Sequence, residues 1–245
     1  MSASPALPPT SAILLAAGRS TRMALRADEP RKPFLVLEGR TVLEHAAAAF
    51  AGLACVREIV LVAHTEDLGR LRQLVASSAV LKKVRTLVAG GAERSDSVRA
   101  GVEASSVECE LVALHDVARM LITPATIEPA IALAAQRGAA LVASPVVDTI
   151  KTSSDGVHAE STLDRNVLWR AETPQIFRRE RFLVLLEKMR ADKFQPTDDA
   201  AIWERYVGAV PLVRSDSINL KLTTIEDLVI AGAILRARAL ERKNG

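Results

Sequence analysis

The chain has 245 residues, 49% apolar and only 3% aromatic, so the core of one large α/β domain, or at most two small ones, must be built from Ala, Val, Leu and Ile. Its 32 basic and 29 acidic residues leave a net charge of +3, and the Lys and Arg are dispersed, which argues against a nucleic-acid groove. Two cysteines, Cys55 and Cys109, make no disulfide framework, so a reducing cytoplasm is the expected compartment, and no apolar run approaches the ~20 residues of a membrane span.

Met1 to Ser11 is rich in Pro, Ser and Ala and lacks the basic-then-apolar order of a signal peptide. It reads as a disordered leader, residues 1–11, ahead of one domain at 12–245. Ala12 to Ala16 is a short apolar run that stops at a glycine loop, the first expected strand. Thr41 to Phe50 has helical spacing, with Thr41 and Glu44 set for a capping box. Ile59 to Ala63 is a second strand, Glu66 to Val75 a helix, and Val84 to Val88 a third strand. Ser95 to Ala104 reads as a helix opened by Gly90-Gly91 and capped by Ser95. Leu111 to Leu114 is a fourth strand, ending at His115-Asp116. Pro124 to Gln136 is a helix with proline in its first turn, and Ala140 to Ser144 is a fifth strand.

The rhythm breaks at Val146. From there to Phe177 the chain alternates and carries Ser, Thr and Asp, which predicts an extended hairpin leaving the main sheet. Helices are expected over Arg179 to Arg190 and Asp198 to Tyr206, a strand over Ala209 to Val213, and a closing helix over Thr224 to Arg242. Glu226 and Asp227 fall in the first turn of that helix, where they suit its dipole. Apolar strands alternating with helices predict an α/β fold: a mostly parallel sheet, covered by helices on both faces, with a protruding arm. Ligands of such sheets bind beyond the carboxyl ends of the strands. The polar motifs stand at those ends, after Ala16, Val88 and Leu114.

The loop Ala16-Ala17-Gly18-Arg19-Ser20-Thr21-Arg22-Met23 has small residues that let backbone N–H groups approach a phosphate, with Arg22 and Lys32 to add charge. The same loop would also suit an ordinary connection with solvated basic residues. It is not a P-loop, because no Gly-Lys-Ser/Thr follows Gly18. It is not a dinucleotide fingerprint either: Ser20 and Met23 stand where further glycines belong, and the second strand ends at His64 rather than at an acid. Asp116, at a strand end, could hold Mg²⁺, cap a helix or pair with Arg119. His45, His64, His115 and His158 form no triad with a serine, and His64 and His158 read as solvated. The two cysteines read as core thiols, and Trp169 and Trp203 as packing residues.

The run Ala16 to Met23, with Pro30, Lys32 and Phe34, resembles the opening of the sugar nucleotidyltransferases. More closely, the chain resembles the 2-C-methyl-D-erythritol 4-phosphate cytidylyltransferases of the non-mevalonate isoprenoid pathway. The likeness continues through Gly90 to Val98, His115 to Arg119, Asp148 to Lys151, Asp164 to Trp169, Thr173-Pro174-Gln175, Thr197 to Ala200 and Asn219 to Thr223, so it covers about residues 12–235. The resemblance implies a Rossmann-like fold and an enzyme that uses CTP and Mg²⁺, or another divalent cation, to place CMP on a small polyol phosphate. It implies that Ala16, Ala17 and Gly18 contact the nucleotide, and that Gly91 and Ser97 hold the cytidine. Arg22 and Lys32 would meet the triphosphate, Lys221 the α-phosphate and Asp116 the metal, with Arg119 lining the acceptor side. The arm, at about 146–177, would cross to a second subunit of a homodimer, bringing Thr149 and Arg165 to the acceptor phosphate there.

Several positions depart from the family pattern. Ser20 replaces a glycine, Ala92 an aspartate and Met120 a proline, and the spacer from Met23 to Pro30 is long. In Pro30-Arg31-Lys32-Pro33 two cations compete for one lysine role, and Lys32 keeps Phe34-Leu35 in register. Two other readings stand beside the first: a cytidylyltransferase acting on ribitol 5-phosphate, and a non-catalytic nucleotide-binding regulatory module.

Overall fold

A computed structural model of the protein describes residues 6–18, 30–215 and 218–244. In chain order the strands and helices are β1 (Thr10–Leu15), β2 (Val36–Leu37), β3 (Arg40–Thr41), α1 (Val42–Ala51), β4 (Val56–Ala63), α2 (Leu68–Ser77), β5 (Val84–Ala89) and α3 (Arg94–Glu103). There follow β6 (Leu111–Asp116), α4 (Pro124–Arg137), β7 (Ala139–Pro145), β8 (Lys151–Thr152), β9 (Ser161–Thr162), β10 (Trp169–Arg178), α5 (Arg179–Ala191), α6 (Asp199–Tyr206), β11 (Leu212–Arg214) and α7 (Ile225–Asn244).

Seven strands form one sheet in the order β11-β7-β10-β6-β1-β4-β5. All run in the same direction except β10, which is antiparallel to both β6 and β7. Successive side chains of a strand point to opposite faces, and β1 divides its residues accordingly. Ala12 and Leu14 pack with residues of α1, α2, α4 and α7, whereas Ile13 packs with α3, α5 and α6. Both faces are therefore covered, which is why the central strands read as continuous apolar runs. The few aromatic rings gather mainly on the second face, where Phe177 stacks on Phe182 at 4.2 Å and near Trp203 at 5.9 Å.

Local sequence sets the helix starts. Thr41 accepts from Glu44 N–H and Glu44 accepts from Thr41 N–H, the capping box expected of that pair. Pro124 opens α4, and Gly138 ends it in the left-handed region at φ 88°. Asp227 accepts from the N–H groups of Thr223 and Thr224, at 2.7 and 2.8 Å. The cap of α3 differs from expectation: Glu93, with Asp96, caps it, and Ser95 lies inside the first turn.

Two further expectations are corrected. Thr10 and Ser11, assigned to a disordered leader, are buried residues of β1, and Pro9 O accepts from Leu111 N–H. The expected arm is also too long. Only about residues 146–168 form an exposed ribbon around β8 and β9, while β10 returns to the middle of the main sheet. Among the described residues no helix is long and apolar enough to cross a membrane.

Gly101 lets α3 lie directly on the sheet. A Cβ there would stand 2.5 Å from Ile13 Cγ2 and 2.9 Å from Val62 Cγ2. Gly101→Ala gains helix propensity but overpacks two fully buried side chains, so a net loss of about 1–2 kcal/mol is expected. The urea midpoint should fall with its slope unchanged.

Candidate active site

A cleft of ≈ 430 Å³ opens beyond the carboxyl ends of β1 and β6, walled by the start of α3 and by the segment 221–223. The sheet ladder runs on past the strand ends, through Ala16 N–H to Val62 O and Gly90 N–H to Ala63 O. This brings the loops after β1, β5 and β6 together. Ala16, Ala17 and Gly18 line the cleft, as do Gly91, Ser97, Lys32, Asp116 and Lys221. Eight of the residues singled out from sequence thus share one cavity. Arg22 lies outside the described residues, together with Ser20 and Met23.

The glycine pair after β5 is required by close approach. A Cβ on Gly90 would lie 2.7 Å from both Ala17 Cβ and Ser97 Oγ, and one on Gly91 2.2 Å from Asp96 Cβ. Ser97 is buried, accepts from Gly91 N–H at 3.2 Å and donates to Glu93 O at 3.3 Å. The choice between Arg31 and Lys32 is geometric. Arg31 turns away to Glu66 and Asp67, whereas Lys32 faces the cleft and donates to Leu222 O at 2.6 Å.

Asp116 ends β6 between two cations. Lys221 donates to its Oδ2 at 2.6 Å, and Arg94 reaches its Oδ1 at 3.4 Å. Burial alone would raise the Asp116 pKa; Arg94 and Lys221 together outweigh it and hold the carboxyl at about 2. Its backbone is fixed by a polar chain through the strands. Asp116 N–H donates to Thr173 Oγ1 (3.1 Å), which meets His115 Nδ1 (2.9 Å), while His115 Nε2 meets Arg119 O (3.2 Å). A carbonyl can only accept, so Nε2 carries the proton and Nδ1 accepts from the Thr173 hydroxyl.

His115 is fully buried, and burial pushes its pKa down to about 4. Its folded pKa lies below the unfolded value near 6.5, so its contribution to stability is full above pH 6.5 and is lost as pH falls toward 4. A loss of up to about 3 kcal/mol is expected across that window. Asp116 adds its own loss only below its unfolded value near 3.8. Thermal midpoints measured from pH 7 to 4 should fall, and His115→Gln should flatten the slope above pH 4.

Three residues expected at the site do not line the cleft. Arg119 donates to Asn219 O at 2.8 Å and to Ala171 O at 3.3 Å, and burial lowers its pKa. Thr149 and Arg165 sit exposed on the ribbon, where Arg165 donates to Val147 O at 2.9 Å. Other residues gain importance. His64, read as solvated, is half-buried and lines the cleft. Arg94, part of a recognised motif but given no role, lines it too, and joins Asp116 to the buried Asp199. Trp169 stands 40% exposed on the ribbon side rather than in the core, whereas Trp203 is buried. Burial raises both thiols, Cys109 to about 11, so neither is a nucleophile near neutrality.

The family model described as 2-C-methyl-D-erythritol 4-phosphate cytidylyltransferase matches residues 10–237. The chain belongs to that family. It is 41% identical to the 2-C-methyl-D-erythritol 4-phosphate cytidylyltransferase of Syntrophotalea carbinolica, across 91% of this chain and 94% of that one. It is 36% identical to the protein of the same name from Alkaliphilus oremlandii, across 94% and 96%. Among solved structures it is similar to the 4-diphosphocytidyl-2C-methyl-D-erythritol synthase of Anaerococcus prevotii, with a TM-score of 0.80 and 27% identity over 94% of this chain and 96% of that one. The Rossmann-like α/β fold expected from the sequence is the fold of these family members.

Proposed function

We propose that this protein transfers CMP from CTP to 2-C-methyl-D-erythritol 4-phosphate, giving 4-diphosphocytidyl-2-C-methyl-D-erythritol and pyrophosphate in the non-mevalonate route to isoprenoids. The observation that carries the reading is the convergence of Lys32, Lys221 and Asp116 on the small-residue loop Ala16-Ala17-Gly18 in one cleft. An oxygen of the acceptor phosphate attacks the α-phosphorus of CTP. As that P–O bond forms, the bond to the bridging oxygen of pyrophosphate breaks and its electron pair leaves with pyrophosphate. Two anions must be held in line, so catalysis rests on positioning and charge stabilisation. Ala16, Ala17 and Gly18 admit the nucleotide close to the backbone, and Gly91 and Ser97 hold the cytidine. Arg22 and Lys32 take the charge that passes to pyrophosphate. Lys221 stabilises the charge that builds at the α-phosphate, and Arg119 lines the acceptor side.

Asp116 is the carboxylate for a divalent cation such as Mg²⁺. Among the described residues no cluster of three or more His, Cys, Asp or Glu makes an all-protein cage. A single carboxylate that stays charged to about pH 2 fits a cation shared with phosphate oxygens. When bound, that cation neutralises phosphate charge and orients the triphosphate. The arm belongs to the same reading: it crosses to the partner of a homodimer, where Thr149 and Arg165 reach the acceptor phosphate. The exposed Val147, Val157 and Val167 on the ribbon, and the fork of Arg165, suit that role.

Pyrophosphate release tests the acceptor, with CTP, Mg²⁺ and either 2-C-methyl-D-erythritol 4-phosphate or ribitol 5-phosphate. Release with the first alone is expected. Release with the second alone moves the protein to the ribitol branch, and folded protein that binds CTP but releases pyrophosphate with neither fits a module without chemistry.

A further inference from the structure

Asp199 begins α6, outside the cleft, and is 1% exposed. Both its oxygens accept from Arg94, Oδ1 from one terminal nitrogen and Oδ2 from the other, each at 2.8 Å. The nitrogen that holds Oδ2 also reaches Asp116 Oδ1 at 3.4 Å. The planar guanidinium is thus fastened as a fork to a buried anion, and only its outer edge faces Asp116. Lys221 is different: its bond to Asp116 is short, at 2.6 Å, but its side chain is 43% exposed and has room to move. Burial lowers the Arg94 pKa less than Asp199 and Asp116 raise it, so the guanidinium keeps its charge.

We propose that Asp199 is a positioning residue that, through Arg94, sets how readily Asp116 is released to a cation. With Asp199 in place, most of the Arg94 charge is answered inside the protein, and the long contact leaves Asp116 Oδ1 weakly held. Without it, Arg94 turns its full charge on Asp116 and competes with any cation there. The proposal rests on the reading of Asp116 given above, and it assigns a function to α6 that the cleft lining alone does not.

Two variants carry opposite expected signs. Asp199→Asn leaves Arg94 with Asp116 as its one anion, so cation affinity should weaken. Arg94→Leu/Asp199→Leu removes the buried Asp199 carboxylate together with the half-exposed guanidinium that answers it, leaving no uncompensated buried ion, and frees Asp116 Oδ1, so cation affinity should tighten. Asp198→Ala is the control. Asp198 caps the same helix through Ala201 N–H and accepts from Gln175 Nε2, whereas the Arg94 hydrogen bonds go to Asp199 and Asp116. Mn²⁺ is titrated by calorimetry into each full-length protein saturated with CTP, with no acceptor present. We expect about a fivefold to tenfold weaker Mn²⁺ site in Asp199→Asn, a tighter one in the double variant and an unchanged one in Asp198→Ala. If Asp199→Asn does not fold, the double variant still decides: unchanged or weaker binding overturns the proposal. Wild-type affinity in Asp199→Asn, or an equal loss in Asp198→Ala, also overturns it while leaving the nucleotide reading intact. Absence of Mn²⁺ binding in the CTP-saturated wild type would instead remove the Asp116 reading, and the proposal with it.

Discussion

Lys221→Ala is expected to lower kcat about 10²–10³-fold, the range seen when one preorganised donor to a developing anion is removed. The side chain is 43% exposed, and its partner Asp116 keeps Arg94 on its other oxygen. Removing it leaves no fully unpaired buried ion, so folding should suffer by less than about 1 kcal/mol. The loss should fall on kcat rather than on the KM for CTP, because in the role proposed for Lys221 the charge it meets builds in the transition state. Pyrophosphate-release kinetics and a thermal melt of the same preparation check this. A variant with wild-type turnover would remove Lys221 from the mechanism.

The second large effect falls on stability. Arg94→Leu alone strands Asp199, whose carboxylate is almost wholly buried and has lost a two-point partner. Breaking such a pair from one side costs about 3–5 kcal/mol. For a chain of this length that corresponds to a fall in Tm of roughly 6–20 °C. Adding Asp199→Leu should restore most of it, because the stranded buried carboxylate is then removed along with its partner. If the single variant melts within a degree or two of wild type, the pair is no more than a surface ion pair and the network through α6 has no structural weight.

Much of this was legible in the residues. The strands β1, β4, β6 and β7 are buried on both faces and the edge strand β5 is half-buried, and their apolar runs announced all five to within a few positions. The loops at their carboxyl ends carried small residues and charge where an α/β sheet binds ligands, and eight of the named residues meet there. β10 was not legible. Residues 169–178 hold Glu172, Thr173, Pro174 and Gln175, which read as an irregular arm because a central strand ordinarily carries apolar residues and no proline. The ladder with β7 is broken between Ala171 and Gln175, where Pro174 lies. The polar side chains are hydrogen-bonded inside the fold instead. Glu172 accepts from Ser144 and Asn219, Thr173 serves His115 and Asp116, and Gln175 spans Asp198 and Ala200. A buried polar network leaves no period in the sequence.

The Arg94–Asp199 pair was hidden for a related reason. Its partners are 105 residues apart, and helical charges at α3 and α6 look alike whether they face solvent or each other. Lys32 could be chosen over Arg31 from the register of Phe34-Leu35, but the reason for it is spatial. Arg31 is drawn to Glu66 and Asp67 at the turn before α2.

The most direct test of the central claim is to observe the bond that forms. The protein is incubated with CTP, Mg²⁺ and 2-C-methyl-D-erythritol 4-phosphate, and the mixture is followed by ³¹P NMR. A new pair of mutually coupled phosphorus resonances from a diphosphate bridge is expected, appearing in step with one equivalent of pyrophosphate. Consumption of CTP to CDP or CMP with the acceptor phosphate left unchanged would contradict it.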